Sequence, residues 1–497
     1  DRVWQAYSGL RRPWLQQVEE NVRMLAGQQS WRFIPAVGQF LDVAAFLEGD
    51  DRAWRDNPVF NRAKKYYDQA LAKLTESPPI LDAMPATADY ADMKLAEIFG
   101  SVFKYEWDQM GVAQKYFTAM GWKIVAGRYV LKLDWDMQRG PWETWADETG
   151  AYQPGPDGQP MPAETPFRQQ LGDLNMEVCV PTSVLWPTGP QHYRDKPWVI
   201  HEYWQGTDDI QRLYGVEVEP DPASDTGTDL LGTLGYGSPY GMPGMGWFGS
   251  MAGSPETRPD QVRCRARWQK ADDKHPQGRV TIVTRDRVLV DDVNPHVVPG
   301  QQDEVVLPFY CFDRIGYPFR QEGTTDLEVC NPVYRAKNRR IAAMMDSADY
   351  HEQPVTVVNQ STMGDVPAEK LNRRGAVLEA SSLAQNPLFR LDPPPIPAGS
   401  AQMNDLLNYE IEVLQNTDSK ITGANLSDPS GELLRQMRYD ADRPWGTSLR
   451  YDSYVWADVG LDMMKLLAAH MPAERVLSIA GDDLAWSCVP SRERRDC

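Results

Sequence analysis

The chain has 497 residues, 42% of them apolar and 24% charged, a globular composition that excludes a wholly disordered chain and implies several compact units. Its 51 basic and 70 acidic residues give a formal charge of -19, which repels nucleic acid from most of the surface and argues against a static, tight DNA binder.

From the N-terminus, Trp14, Val18, Val22 and Leu25 recur at helical spacing in WLQQVEENVRMLAG. A second helix is expected from Asn57, in NPVFNRAKKYYDQALAKL, stopping before Pro78 and Pro79. A third is expected as one run through ADYADMKLAEIFGSVFKYEWDQMGVAQKYFTAMG. The pattern then changes to period two. GRYVLKLDWD (127–136) predicts a strand, as do NMEVCVPTSVLW, KPWVIHEYW and the pair RVTIVTRD and RVLVDD. The stretches 147–164 and 221–260 read as surface insertions. The second is rich in Gly, Met and aromatics and reads as a mobile loop, with an adhesive contact for a neighbouring chain as the functional alternative.

GTTDLEVCNPVYRAKNRRIAAMMDSADY (323–350) predicts a long helix of roughly 40 Å at 1.5 Å per residue. A helical wheel places Val333, Ile341, Met344 and Ala348 on its packing face and Arg335, Arg339 and Asp346 opposite. An insert over 351–400 follows, with strand candidates PVTVVNQ and GAVLEA, a turn at 363–365, and prolines at 393–395 that stiffen its exit. The next helix, AQMNDLLNYEIEVLQNTDSK, carries Asp405, Glu410, Glu412 and Asp418 and no Lys or Arg before Lys420. Opposite charge on the two helices predicts pairing that sets register and orientation between subunits, since an exposed pair contributes only about 0–1 kcal/mol to stability. GANLSDPSGELL then breaks the periodicity at Gly423, Pro429 and Gly431, and a further helix is expected to kink or stop at Pro444 and Gly446.

Motifs that carry chemistry are weak. Gly244, Gly246 and Gly249 match GxGxxG, but without the flanking strand and helix that a phosphate site needs, and no GxxxxGK[ST] occurs. The six histidines form no HExxH and no zinc spacing with cysteine, so no metal or cofactor is expected, and His201 reads as a structural histidine. The six cysteines lack CxxC pairs and read as reduced thiols. There is no GxSxG, and pairs such as Asp208 and Asp209 are commonplace in an acidic chain. No apolar run of membrane-spanning length and no signal-peptide pattern occurs, so neither membrane insertion nor secretion is indicated. The 17 tryptophans read mainly as packing residues, although with the many carboxylates they leave an acidic carbohydrate-active hydrolase as an alternative.

In their order, the segments from 300 to 470 resemble the portal (head-to-tail connector) proteins of tailed bacteriophages. LPFYCFDRIGYPFRQEGTTDLEVCNPVYRAKNRR resembles the run into a portal's first stem helix, and GANLSDPSGELL is similar to the loop whose Ser-Gly pair leads into the long wing helix. Upstream, NPVFNRAKKYYDQALAKLTESPPILDAMPATADYADMKLAEIF resembles the N-terminal wing helices. The resemblance implies an α+β, predominantly helical chain with wing, stem, clip and crown, built into a ring oligomer. The parts would be a wing over 1–322, stem helices over 323–350 and 401–418, a clip over 351–400, a tunnel loop and long wing helix over 419–470, and a short crown or tail over 471–497.

It also implies no catalysis, a dodecamer at one capsid vertex of the virion, and assembly in the host cytoplasm. Implied partners are the terminase large subunit, head-tail adaptor or tail proteins, the major capsid and scaffolding proteins, and double-stranded DNA passing through during packaging and ejection. An acidic channel wall suits such passage, because it does not hold phosphates. Lys420, Asn425, Ser427 and Asp428 would face the channel. Arg335, Arg339, Arg340, Glu410 and Glu412 would meet neighbouring subunits in the stem, and Asn359, Glu369, Lys370, Arg373 and Arg374 would meet adaptor or terminase at the clip. Another structural virion component, such as an adaptor or tail protein, is the remaining alternative.

Overall fold

Helices α1 (Arg2–Leu10) and α2 (Arg12–Leu25) open the chain, and α2 places Pro13 in its first turn and buries Trp14, Val18, Asn21 and Met24 along one stripe. The computed structural model describes residues 2–36, 39–42, 59–76, 78–146, 167–189, 192–221, 260–295, 306–314, 320–352, 356–359, 377–380, 388–390, 399–414, 431–471, 475, 476 and 479. A hairpin of β1 (Trp31–Ile34) and β2 (Gln39–Asp42) follows α2. Helix α3 (Arg62–Leu74) starts at Asn61, whose side chain accepts the Lys64 N–H at 3.0 Å, and ends before Pro78 and Pro79. The run expected as one third helix is two, α4 (Tyr90–Gln109) and α5 (Val112–Ala126). They part at Gly111, whose φ of +61° is left-handed backbone that ends a helix at little cost for glycine.

The chain continues through β3 (Arg128–Asp136), β4 (Trp142–Ala146), β5 (Phe167–Gln170), β6 (Asp173–Cys179), β7 (Val184–Leu185), β8 (Trp198–Gly206), α6 (Thr207–Tyr214), β9 (Gln261–Gln269), β10 (Arg279–Val283), β11 (Val288–Asp292) and β12 (Phe309–Asp313). Each strand expected from alternation is present. The sequence pattern did not mark β9 or β12. In β9 the inward residues Val262, Cys264, Ala266 and Trp268 are mostly small and the outward ones are Gln and Arg, so the contrast is faint although the burial alternates without a break. The expected insertions, apart from their end residues Asp221 and Asp260, lie outside the described residues.

Strands β12, β3 and β6 form an antiparallel sheet in that order, and β11, β10, β9, β8 and β7 form a second. Alternation along the first sheet explains its two-sided burial. Tyr129, Leu131, Leu133, Leu174, Met176, Tyr310 and Phe312 join the helical core, whereas Val130, Cys179, Phe309 and Cys311 pack against Val184, Val199, Ala266 and Trp268 of the second sheet. The outer side of that second sheet is covered at Leu185, Trp198 and Ile200 by Val3, Trp4 and Tyr7 of α1.

The remaining elements are α7 (Asp326–Glu352), β13 (Thr356–Asn359), β14 (Val377–Ala380), β15 (Leu388–Arg390), α8 (Gly399–Leu414) and α9 (Gly431–His470). The two strand candidates of the insert fall on β13 and β14, and β15 is additional. β13 is central, parallel to β14 and antiparallel to β15. Of the kink or stop expected at Pro444 and Gly446, the stop is corrected: α9 is continuous over 40 residues. A proline removes a single N–H, and packing holds the next turn, with Trp445 buried under the Arg314 guanidinium at 4.2 Å and Ser448 buried.

The parts meet at one junction. Gly127 closes α5 with a φ of +76°, its carbonyl accepts the Arg314 N–H at 2.8 Å, and its backbone lies directly against Gly323, just ahead of α7. A Cβ on either glycine would collide with the carbonyl oxygen of the other, and one on Gly323 would also sit 2.7 Å from the Arg314 carbonyl oxygen. Arg128 then ties the same point to Asp313 at 2.7 Å and to the Gln321 carbonyl at 2.6 Å.

Gly127→Ala and Gly323→Ala are each expected to cost roughly 3 kcal/mol or more in urea unfolding, since backbone must move in both. Gly446→Ala, with nothing within 4 Å of its Cβ and a helix-interior position, should be neutral or stabilise by about 0.5–1 kcal/mol.

Candidate functional site

Helix α7 is anchored over its first half. The Thr325 hydroxyl accepts the Glu328 N–H at 3.1 Å, and Asp326 and Glu328 place negative charge at the positive end of the helix. Leu327, Cys330, Asn331, Tyr334 and Lys337 form its buried face. Asn331 donates to Asn21 at 2.9 Å, and Asn21 donates to Thr325 at 3.1 Å and to the Val125 carbonyl at 2.8 Å, which ties α2, α5 and α7 together. Arg335 reaches Glu20 and the carbonyls of Gln29 at 3.3 Å and Trp31 at 3.2 Å. From Ile341 to Asp349 no residue is fully buried.

The packing face read from a helical wheel is therefore corrected. Val333, Ile341 and Met344 are half-buried and Ala348 is exposed, because hydrogen bonds draw the polar Asn331 and Lys337 inward. A wheel weighted by hydrophobicity passes over both.

Helix α8 lies along α7. Ser400 and Ile411 are buried, Arg340 donates to the Ser400 hydroxyl at 2.7 Å, and Lys337 donates to the Asn408 side chain. Burial, with Arg62 nearby, lowers the Lys337 ammonium to about 8 against the opposing pull of Glu412. The other side of α8 is apolar and open: Met403, Leu406, Tyr409 and Val413 are 48%, 52%, 50% and 42% exposed, flanked by exposed Asp405 and Glu410. Their spacing of three, three and four residues forms one stripe along the helix. The open side of α7 carries smaller groups, Val329, Pro332, Ala336 and Ala343, with exposed Arg339 among them. A face of large side chains edged by acid and a face of small ones holding a guanidinium are complementary in size and charge.

Elsewhere one polar cluster is used within the chain. A cavity of about 180 Å³ lies beside Arg194, Tyr310, Asp462 and Lys465, and Asp462 already accepts from Arg194 at 2.7 Å, Tyr310 at 2.8 Å and Lys465 at 3.4 Å. That arrangement buttresses α9 against β12. His201 is buried, and desolvation with Lys132 nearby lowers it to about 3, so it packs as a neutral ring against Phe309 at 5.6 Å. Cys179, Cys264, Cys311 and Cys330 are buried free thiols, and burial raises Cys264 and Cys330 to about 12, away from nucleophilic use. Among the described residues no group of three or more His, Cys, Asp and Glu side chains could hold a metal ion, and no helix is long and apolar enough to cross a membrane.

Of the residues proposed from sequence for subunit contact, Arg339 and Glu410 are exposed. Arg335 and Arg340 are engaged within the chain, and Glu412 is half-buried beside Lys337. Asn359 ends β13, with its backbone alone described. Glu369, Lys370, Arg373 and Arg374, and the channel candidates Lys420, Asn425, Ser427 and Asp428, lie outside the described residues. Sequence reasoning missed Lys337 and the apolar stripe of α8. The stripe was legible as Met, Leu, Tyr and Val at helical spacing, but periodicity alone does not say which of two apolar faces is covered. No protein-family model matches the chain, and no curated protein is similar to it at a significant level.

Lys337 sets a measurable pH dependence. Its lowered value means that between about pH 8 and 10.5 the unfolded chain holds a proton on this residue that the folded chain has released, so the contribution of Lys337 to stability rises with pH across that window, against the opposite contribution of the buried thiols. In denaturant titrations over the same range, the slope of wild type should exceed that of Lys337→Met by at most about 1.4 kcal/mol per pH unit.

Proposed function

We propose that this chain is the subunit of a ring-shaped DNA channel, a portal-type connector of a tailed bacteriophage. The observation that carries the reading is the pair of open faces on α7 and α8. A contiguous exposed apolar stripe marks an interaction surface, and a face that complements a different face of the same chain makes a heterologous contact. Heterologous contacts close into rings when the rotation between copies fits. In this reading α8 of one copy packs its stripe against the small-residue face of α7 in the next, and Arg339 meets Glu410.

The order of elements supports the same assignment. Two antiparallel struts carry a small sheet of β13, β14 and β15 between them, and a 40-residue helix follows the second strut. Stem, clip and long wing helix occur in that order in portal proteins. The dodecameric count, the capsid vertex, the host-cytoplasmic assembly and the terminase, adaptor, capsid and scaffolding partners come to this chain through that resemblance. The chain itself then performs no catalysis, and the ATP-driven force on DNA comes from the terminase.

Native mass measurement with negative-stain imaging tests the reading. A ring of roughly a dozen copies around a central hole is the expected result. A chain that stays monomeric at high concentration, or that cleaves polysaccharide, overturns it. At residue level, Leu406→Asp should block ring formation while costing the monomer only about 1–2 kcal/mol, because half of the side chain is already exposed. Arg339→Glu should assemble poorly and recover when combined with Glu410→Arg; normal assembly of the single variant would remove this pair from the interface.

A further inference from the structure

The hairpin of β1 and β2 stands beside the open face of α7. Arg335 of α7 donates to the carbonyls of Gln29 and Trp31 at 3.3 and 3.2 Å, and Asn338 donates to the Gln29 side chain. The start of β1 therefore lies against the same turn of α7 that carries Arg339. Trp31 turns inward under the Arg23 guanidinium at 4.7 Å, and alternation along the strand turns the next residue, Arg32, to the opposite face, where it is exposed.

Arg32 and Arg339 are thus two exposed cations on neighbouring elements, and among the described residues neither has a hydrogen bond or an ion pair. Charge around them is unbalanced. Arg335, the third cation of the group, is already bonded to Glu20. Burial, then Arg335 and Arg339, lower Arg32, while Glu20 pulls the other way. Three guanidiniums share one carboxylate on the surface of a chain whose formal charge is -19. Like charges held together raise the energy of the free chain, and one more carboxylate relieves it.

We infer that Arg32 and Arg339 form a two-armed clamp for a carboxylate of a second copy of this chain, Glu410 on its α8. The inference rests on the ring reading, in which that helix packs on α7, and adds to the contact a second element, the β1–β2 hairpin, and a second cation. Glu410 is exposed, has no partner among the described residues of its own chain, and edges the apolar stripe of α8 beside Tyr409. Charge and apolar surface then match together: the two arginines border the small-residue face of α7 as Glu410 borders the large-residue face of α8. A nucleic-acid phosphate would also satisfy two arginines, but it gives the apolar stripe no role, and the acidic chain repels it.

Assembly of the full chain, followed by light scattering at about 50 mM salt with native mass measurement of the product, tests the clamp. Arg32→Gln should slow assembly about threefold to fivefold, and the difference should fade toward about 1 M salt, where exposed charges are screened. Its urea midpoint should equal or exceed that of wild type, because a like-charge repulsion is removed. In a Glu410→Gln background Arg32→Gln should have no further effect, since the carboxylate it holds is gone. Wild-type rings that form no faster than those of Arg32→Gln overturn the clamp and leave the ring reading standing, and so does slowing that persists in the Glu410→Gln background. A wild-type chain that never assembles overturns both. Normal assembly of Arg32→Gln with weaker retention on duplex DNA gives the arginines to phosphate and likewise overturns the clamp.

Discussion

The contact between the backbones of Gly127 and Gly323 is the constraint on which the rest of the arrangement depends. It brings the end of α5 to the start of α7, across almost two hundred residues of sheet and connection, at a separation that no side chain tolerates. Everything radiating from that point is then positioned by short polar links. Arg128 joins the first residue of β3 to the last of β12, and Arg314 joins β12 to Asp326 at 2.5 Å and stacks on Trp445. Tyr66 of α3 donates to the same Asp326. Because α7 leaves the body from this junction, its direction is set by the glycine pair and not by its own outer half, where no residue from 341 to 349 is fully buried.

Buried polar groups determine how the helices are aligned. Lys123 of α5 donates to both Asp452 oxygens of α9 at 2.5 Å, with the two side chains 1% and 5% exposed. Burial lowers the lysine and raises the aspartate to about 6, so desolvation opposes the pair from both sides. Such a pair adds little net stability over an apolar contact, but sliding α9 by one turn would leave two uncompensated charges inside the protein. Asn21 and Asn331 act in the same way between α2 and α7, and Trp14 and Asn21 also satisfy the last carbonyls of α5, at Ala126 and Val125. Apolar packing holds these helices together; the polar links select one register.

This division explains what could be read from the residues beforehand. Helices α2 and α3 announced themselves because their burial is one-sided, and strands β3, β8, β10 and β11 because β-branched and aromatic residues dominate them between turn signals. The break at Gly111 was hidden inside a strong helical pattern, since glycine in a helix and glycine at a left-handed turn look alike in sequence. Strand β9 was hidden because its inward row is Val, Cys, Ala and Trp, and the continuity of α9 through Pro444 because the evidence for it, Trp445 under Arg314, is a contact 131 residues apart in sequence. The order of helix, insert and helix was legible. Which side of each helix stays open was not, because that depends on what the other helix covers.

The same point alters the meaning of the basic run RAKNRR. As a sequence it is a patch of four cations facing an acidic helix, which implies broad electrostatic pairing. In the fold Arg335 is used against Glu20, Lys337 against Asn408 and Arg340 against Ser400, and only Arg339 of the four is exposed. A single exposed cation contributes about 0–1 kcal/mol and is screened by salt. It can choose an orientation but cannot hold an interface together. If α7 and α8 meet a neighbouring copy, cohesion has to come from Met403, Leu406, Tyr409 and Val413, the apolar groups that an acidic chain would otherwise have no reason to leave in water.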